Sequence, residues 1–324
     1  MTAGRGWIVS PAFDLLFFAN LGWLLLLLPG VARTDTPIDF WLVYFVTLPH
    51  RWMTLVLVLT DRDRRAGQER RLKVVALLAA VVVLGAYFGT GAFLCVALID
   101  FVWNAWHFGS QHAGVLRIYT KKVGGGVAWL ERHGVRYFVA YGALRAAGWT
   151  TGAIEADSQL APWLRALDLV VLLIPLALMV TNLAGATRDR AGKLCYLASV
   201  CVLYTGFILS VRAANPRLTL VFAVAASMFH AVEYLAIVTH YARRRGTVGS
   251  DGAFRVLARY WLLFLSAYVV LLGTAGAFFA RPDSGFAVAW QGLNLWAAMV
   301  HYAFDGMIWK LRRPETAAAL GVTS

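Results

Sequence analysis

The chain has 324 residues, 60% of them hydrophobic and only 15% charged, with a formal net charge of +13. Apolar runs long enough to cross ~30 Å of hydrocarbon recur along its whole length, which excludes a soluble globular domain and indicates an all-α, polytopic membrane helix bundle. The basic excess lies in short clusters between those runs, where it orients spans and meets anionic lipid, so it does not argue for nucleic acid.

In chain order, about ten spans are expected, as one integral-membrane domain over residues 1–324. They cover residues 13–31, 38–60, 72–88 and 93–119, a short fifth at 135–149, then 163–184, 194–211, 218–241, 254–280 and 286–310. The run from Leu15 lacks a cleavage site and reads as a retained first span. Gly124-Gly125-Gly126 reads as a short flexible turn. Basic clusters follow every even-numbered span: Arg62 to Lys73, Arg117 to Arg136, Arg188 to Lys193, Arg243 to Arg245, and Lys310 to Arg313. The alternate connections are poorer in Lys and Arg, and the one holding Glu155 and Asp157 is acidic. This alternation places both termini in the cytoplasm, with residues 311–324 as a cytoplasmic tail. Cys95, Cys195 and Cys201 fall inside apolar runs without CxxC or CxxCH spacing, so neither a disulfide framework, a zinc ribbon nor covalent c-type haem is supported.

The fourth span carries the chemistry. At 100° per residue, Asp100, Asn104, His107 and Gln111 lie within roughly 60° of arc, a polar stripe that lipid cannot satisfy. His50, His107, His230 and His301 lie on four spans that all run from outside to cytoplasm. Counting ~1.5 Å per residue, they share one layer in the cytoplasmic half of the bilayer. Gln111 follows His107 at i+4, Glu233 follows His230 at i+3, and Asp305 follows His301 at i+4, spacings that put both groups on one helix face. His50 has only Thr54 there, with Arg51 adjoining. His112 lies about 140° around the helix from His107 and joins the site only with a second metal or a distorted helix. The expected ligands are therefore His50, His107, His112, His230, Glu233, His301 and Asp305. Asp100, Asn104, Gln111 and Asn294 stand behind them as supporting groups. His133, in a basic loop, reads as solvated, and His240 as interfacial at a helix end. Trp103, Trp106 and Trp309 are candidates to wall a lipid-like substrate, and Asp168, Arg145 and Arg259 read as end-of-span or paired charges.

Imidazole with carboxylate and no thiolate suits iron, zinc, copper or manganese. So many ligands exceed the needs of one ion, which favours a dinuclear site or one metal with a proton-handling shell, with iron the preferred metal. In such a site Glu233 or Asp305 bridges two ions or completes the shell of one. Zinc would instead suit hydrolysis, with either acid as general base.

Leu48-Pro49-His50 and Trp106-His107-Phe108-Gly109 resemble the Pro-His and His-Phe-Gly signatures of the Brp/Blh family, polytopic bacterial membrane proteins associated with oxidative cleavage of β-carotene at histidine-held iron. The resemblance implies a ligand role for His50 and His107, iron as the metal, and an apolar substrate. Here Arg51-Trp52 replace the family's Gly and Asp after the Pro-His pair, and the segments around His230 and His301 belong to a different pattern.

The expectation is a membrane-embedded non-haem iron oxidoreductase of a bacterial inner membrane. It would act on an apolar lipid or isoprenoid with electrons from a cytoplasmic donor. Three alternatives stand beside it: a bis-His b-type haem electron carrier, a zinc-dependent membrane hydrolase, and a His/acid proton-coupled transporter. Haem ligation leaves Glu233 and Asp305 without a role. A transporter calls for polar residues spread through the membrane's depth.

Overall fold

The computed structural model describes residues 6–28, 41, 43–150, 159–248 and 253–322, and among them every regular element is helical. The expectations for the end of the first span, the start of the second, the Glu155/Asp157 connection and Ser324 lie outside the described residues. The longer helices are α1 (Leu48–Thr60), α2 (Glu69–Thr90), α3 (Leu94–Val123), α4 (Val135–Thr150), α5 (Ala161–Leu183), α6 (Ala191–Arg212), α7 (Pro216–Val248), α8 (Trp261–Phe279) and α9 (Ala287–Ile308).

Among the described residues, six helical stretches are long and apolar enough to cross a bilayer: Val43–Thr60, Glu69–Thr90, Ala161–Leu183, Arg188–Arg212, Pro216–Arg245 and Trp261–Phe279. Such stretches mark an integral membrane protein. The other four expected spans differ for physical reasons. Helices α3 and α9 are long enough but are diluted by the polar residues that make them interesting. With 16 residues, α4 is short of the ~20 that a perpendicular crossing needs. The first expected span is broken: a π-turn at Asp14–Phe18 is followed by a 3-10 segment at Leu21–Leu27, with Asn20 in the left-handed region between them.

The described chain forms two compact units, one from residues 1–38 and 105–236 and the other from 39–104 and 237–324. In the first unit, α6 is the core. Tyr196, Leu197, Val200, Leu203, Tyr204, Phe207 and Ile208 are buried, while Val202 and Leu209 of the same helix face outward. Helices α4 and α5 pack on it. By contrast α5 turns Leu169, Val170, Leu173, Leu176 and Val180 outward, an apolar face suited to lipid. The broken first segment is pinned rather than loose. The Asp14 carboxylate accepts the amides of Ile8, Val9 and Ser10 and the Tyr119 hydroxyl, while Trp23 Nε1 donates to Ser199 Oγ.

The triple glycine is not a flexible joint. All three residues hold positive φ (68°, 75° and 73°), where only glycine is comfortable. The carbonyls of Gly124 and Gly125 accept from Lys193 Nζ at 3.1 and 2.8 Å. Lys193 also pairs with Glu131 Oε1 at 2.6 Å, both side chains being fully buried.

In the second unit, α9 packs on α1 and α2. Val58, Leu72, Val83, Phe93, Met299, Val300 and Phe304 form the shared core. Helices α2 and α8 expose Leu77, Leu78, Val81, Phe88, Leu263 and Leu271. The residues expected as a tail are docked as far as they are described. Arg64 lies between the Tyr241 and Trp309 rings, 4.0 and 4.5 Å from their centroids. It donates to Ile308 O and Thr316 Oγ1, and Leu320 and Val322 beyond are buried. Trp309 thus belongs to this clamp.

Candidate functional site

In the first unit, α3 and α7 bring two imidazoles together. The His107 and His230 rings meet edge to face with centroids 4.9 Å apart. Phe108 stacks on His230 at 4.0 Å and 18°, which fixes that ring's plane. Beside Phe108, a Cβ on Gly109 would come within 2.6 Å of Arg136 O, so glycine is what lets α3 approach the chain at α4 this closely.

Glu233, one turn after His230, is fully buried, and its carboxylate is met by donors on both oxygens. Tyr196 OH donates to Oε1 at 2.5 Å, Gln111 Nε2 donates to Oε2 at 2.7 Å, and His112 Nδ1 stands 3.2 Å from Oε2. Gln111 Nε2 also donates to His230 O at 2.8 Å, so both amide protons are used and the orientation of the Gln111 amide is settled by its two acceptors. Because Tyr196 spends its proton on Glu233, the bond between His112 Nδ1 and Tyr196 OH at 3.1 Å requires the His112 proton on Nδ1. His112 Nε2 is then a buried acceptor without a hydrogen-bond partner among the described residues, with the Tyr204 and Phe229 rings edge-on to the imidazole.

The second unit repeats the motif with different residues. Pro49 sits where the π-turn Val43–Thr47 passes into α1, and His50 follows it in the same continuous helical stretch. The His50 and His301 rings meet edge to face with centroids 5.0 Å apart. Thr54 Oγ1 lies 2.7 Å from His301 Nδ1 and donates to Asp305 Oδ1 at 3.0 Å. Asp305 Oδ2 is 3.7 Å from His301 Nε2.

The supporting residues have definite partners of their own. Asp100 accepts the Tyr302 hydroxyl at 3.0 Å, and Trp103 packs on the Tyr302 ring. Asn294 accepts from Trp52 Nε1 and donates to Trp290 O. Asn104 is half-buried on the same turn of α3 as Trp103. Arg145 and Asp168 form the buried pair their types suggest, with Tyr141 OH on the same carboxylate. His133 is half-buried, with its ring near Trp129 and Tyr137. His240 is buried and eight residues short of the end of α7, which runs on to Val248, so it is not at a helix end.

Sequence reasoning missed Tyr196 and undervalued Thr54. The available signal was a hydroxyl inside an apolar span at the depth of the histidines. The contacts offer imidazole nitrogen and carboxylate oxygen with no thiolate, donor types that suit iron, zinc or manganese. Compared with protein families, with curated proteins and with solved structures, the chain finds no match.

Proposed function

We propose that the chain is a membrane-embedded, non-haem iron oxidoreductase acting on an apolar lipid or isoprenoid. The ligands for one or two iron ions would come from His50, His107, His112, His230 and His301, with Glu233 and Asp305 as the carboxylates. The observation that carries this reading is the repeated motif, in each unit two buried imidazoles edge to face with a carboxylate one turn beyond one of them. Bound iron would supply oxygen activation, the chemistry that an unreactive hydrocarbon requires. The chain's own residues keep the ligands in place. Phe108 fixes the plane of His230, while Gln111, Tyr196 and His112 hold the Glu233 carboxylate. The apolar outer faces of α2, α5 and α8 suit a substrate that arrives through lipid, and the likeness of the His50 and His107 segments to the Brp/Blh signatures favours iron with such a substrate.

In this reading the chain crosses a bacterial inner membrane about ten times with both termini in the cytoplasm. The basic connections there would attract an anionic headgroup or an acidic electron donor. A reporter fused after Ser324 is expected to read as cytoplasmic, and an external reading would overturn the orientation. Metal analysis with an optical spectrum tests the rest. Purified protein is expected to carry about one or two iron ions per chain and no Soret band. A Soret band would favour the haem carrier, and stoichiometric zinc the hydrolase.

A further inference from the structure

We infer that Tyr196 and Tyr119 form an electron relay between the Glu233 site and the surface of its unit. Both phenols are fully buried, and each gives its proton to a buried carboxylate of the same unit. Tyr196 OH donates to Glu233 Oε1 at 2.5 Å, well inside its other acceptor, His112 O at 3.1 Å. Tyr119 OH donates to Asp14 Oδ2 at 2.7 Å. The two rings lie against each other with centroids 5.5 Å apart, tilted by 31°. A phenol gives up an electron readily only where its proton leaves in the same step, because the protonated radical is a strong acid. A short bond to a carboxylate supplies that exit. On α3, Tyr119 lies about 12 Å along the helix from Gln111, a distance that the ring contact divides into shorter hops. Asp14 is held by the amides of the half-buried Val9 and Ser10, and Lys122 in the last turn of α3 donates to Ile8 O beside it. The relay therefore ends close beneath the surface. Its role rests on the iron reading above, which supplies the oxidant, a metal site oxidised by one electron. Tyr196 passes one electron to that site and its proton to Glu233 Oε1, leaving a neutral phenoxyl radical. Tyr119 then gives one electron across the ring contact and its proton to Asp14 Oδ2, while Tyr196 recovers its own proton from Glu233. A one-electron carrier at the surface reduces Tyr119, which recovers its proton from Asp14. One electron has crossed and no proton has been displaced.

The path is tested without metal on the full-length protein in lipid nanodiscs, with aminotyrosine in place of Tyr196 as a trap. That residue keeps the hydroxyl, is easier to oxidise than tyrosine and has its own electron paramagnetic resonance signature. Flash excitation of a soluble ruthenium photo-oxidant, with persulfate as quencher, should produce the aminotyrosyl radical. It should form more slowly in deuterated water, because each hop moves a proton. Adding Tyr119→Phe should abolish it. An unchanged rate with Tyr119→Phe, or no radical with Tyr119 in place, overturns the relay. So does an equal rate in the two solvents, a measurement that still decides if Tyr119→Phe does not fold. Iron-loaded protein mixed with hydrogen peroxide and freeze-quenched tests the use. A tyrosyl radical is expected in wild type and should be lost in Tyr196→Phe. No radical in the iron-loaded wild type, or one that survives Tyr196→Phe unchanged, overturns the role at the metal site. Failure of wild type to take up iron overturns the iron reading instead, while the path is still decided by the flash experiment.

Discussion

Lys193→Met is expected to destabilise the protein by about 3–5 kcal/mol, because it leaves a buried carboxylate without its main cation. Glu131 and Lys193 are both fully buried and 2.6 Å apart. Without Lys193, Glu131 keeps the Thr120 hydroxyl at 2.7 Å and a distant Arg117 at 3.9 Å, and the Gly124 and Gly125 carbonyls lose a donor. Replacing both partners, as Lys193→Met with Glu131→Leu, removes the stranded charge and should recover part of the loss. Lys121→Met, in the same basic region but exposed, should stay within about 0.5 kcal/mol of wild type. Reversible unfolding in mixed micelles would measure all three. A Lys193 variant as mild as the Lys121 one would mean that the pair does not hold the glycine turn.

Glu233 separates stability from function. Glu233→Ala leaves Tyr196, Gln111 and His112 facing a void. Tyr196 can turn to His112 O, 3.1 Å away, its oxygen still accepting from His112 Nδ1, and Gln111 keeps His230 O, but the second Gln111 proton is stranded. That unmet donor costs about 1–3 kcal/mol and the void adds to it, so a total of about 2–5 kcal/mol is expected. Glu233→Gln has a way out. Its amide nitrogen, placed at the Oε1 position, donates to the Tyr196 oxygen once that hydroxyl turns to His112 O. Its oxygen then accepts from Gln111 and His112. The loss should be about 1–2 kcal/mol, from exchanging charge-assisted bonds for neutral ones. The folded Glu233→Gln protein should nevertheless carry less metal than wild type, as measured by elemental analysis. If the two variants unfold alike, the hydrogen-bond order around Glu233 is wrong. If Glu233→Gln keeps its full metal content, Glu233 is not a ligand.

The sequence shows where helices are and which carry polar stripes, because hydropathy and 3.6-residue spacing are local properties. It therefore locates α3 and α9 and the His–acid spacings on α7 and α9. It does not show that Asn20 breaks the first apolar run, since a left-handed residue depends on its neighbours in space. Nor does it separate Lys193 from the basic cluster around Arg188 and Arg190. A lysine that neutralises a buried acid and one that faces a phosphate headgroup look the same until Glu131 is beside it. Thr54 and Tyr196 escape for a related reason. In an apolar span a hydroxyl passes as neutral, and its value comes from an acceptor on another helix.

Neither unit is built from one continuous stretch of chain, and this gives their assembly an order in time. The Gln111 contact with His230 spans 119 residues, whereas the Thr54 contact with His301 spans 247. At synthesis rates of roughly 5–20 residues per second, the first gap takes about 6–24 s and the second about 12–50 s. The first pair of histidines can thus meet while the ribosome is still making α8. His50, inserted early, waits nearly until release for α9. A transcript truncated before residue 287 would still encode every residue of the first unit and leave the second without its closing helix. Ribosomal pausing late in the message would lengthen that wait, making the last helix the point at which the cell's quality control can most readily intercept an unfinished chain.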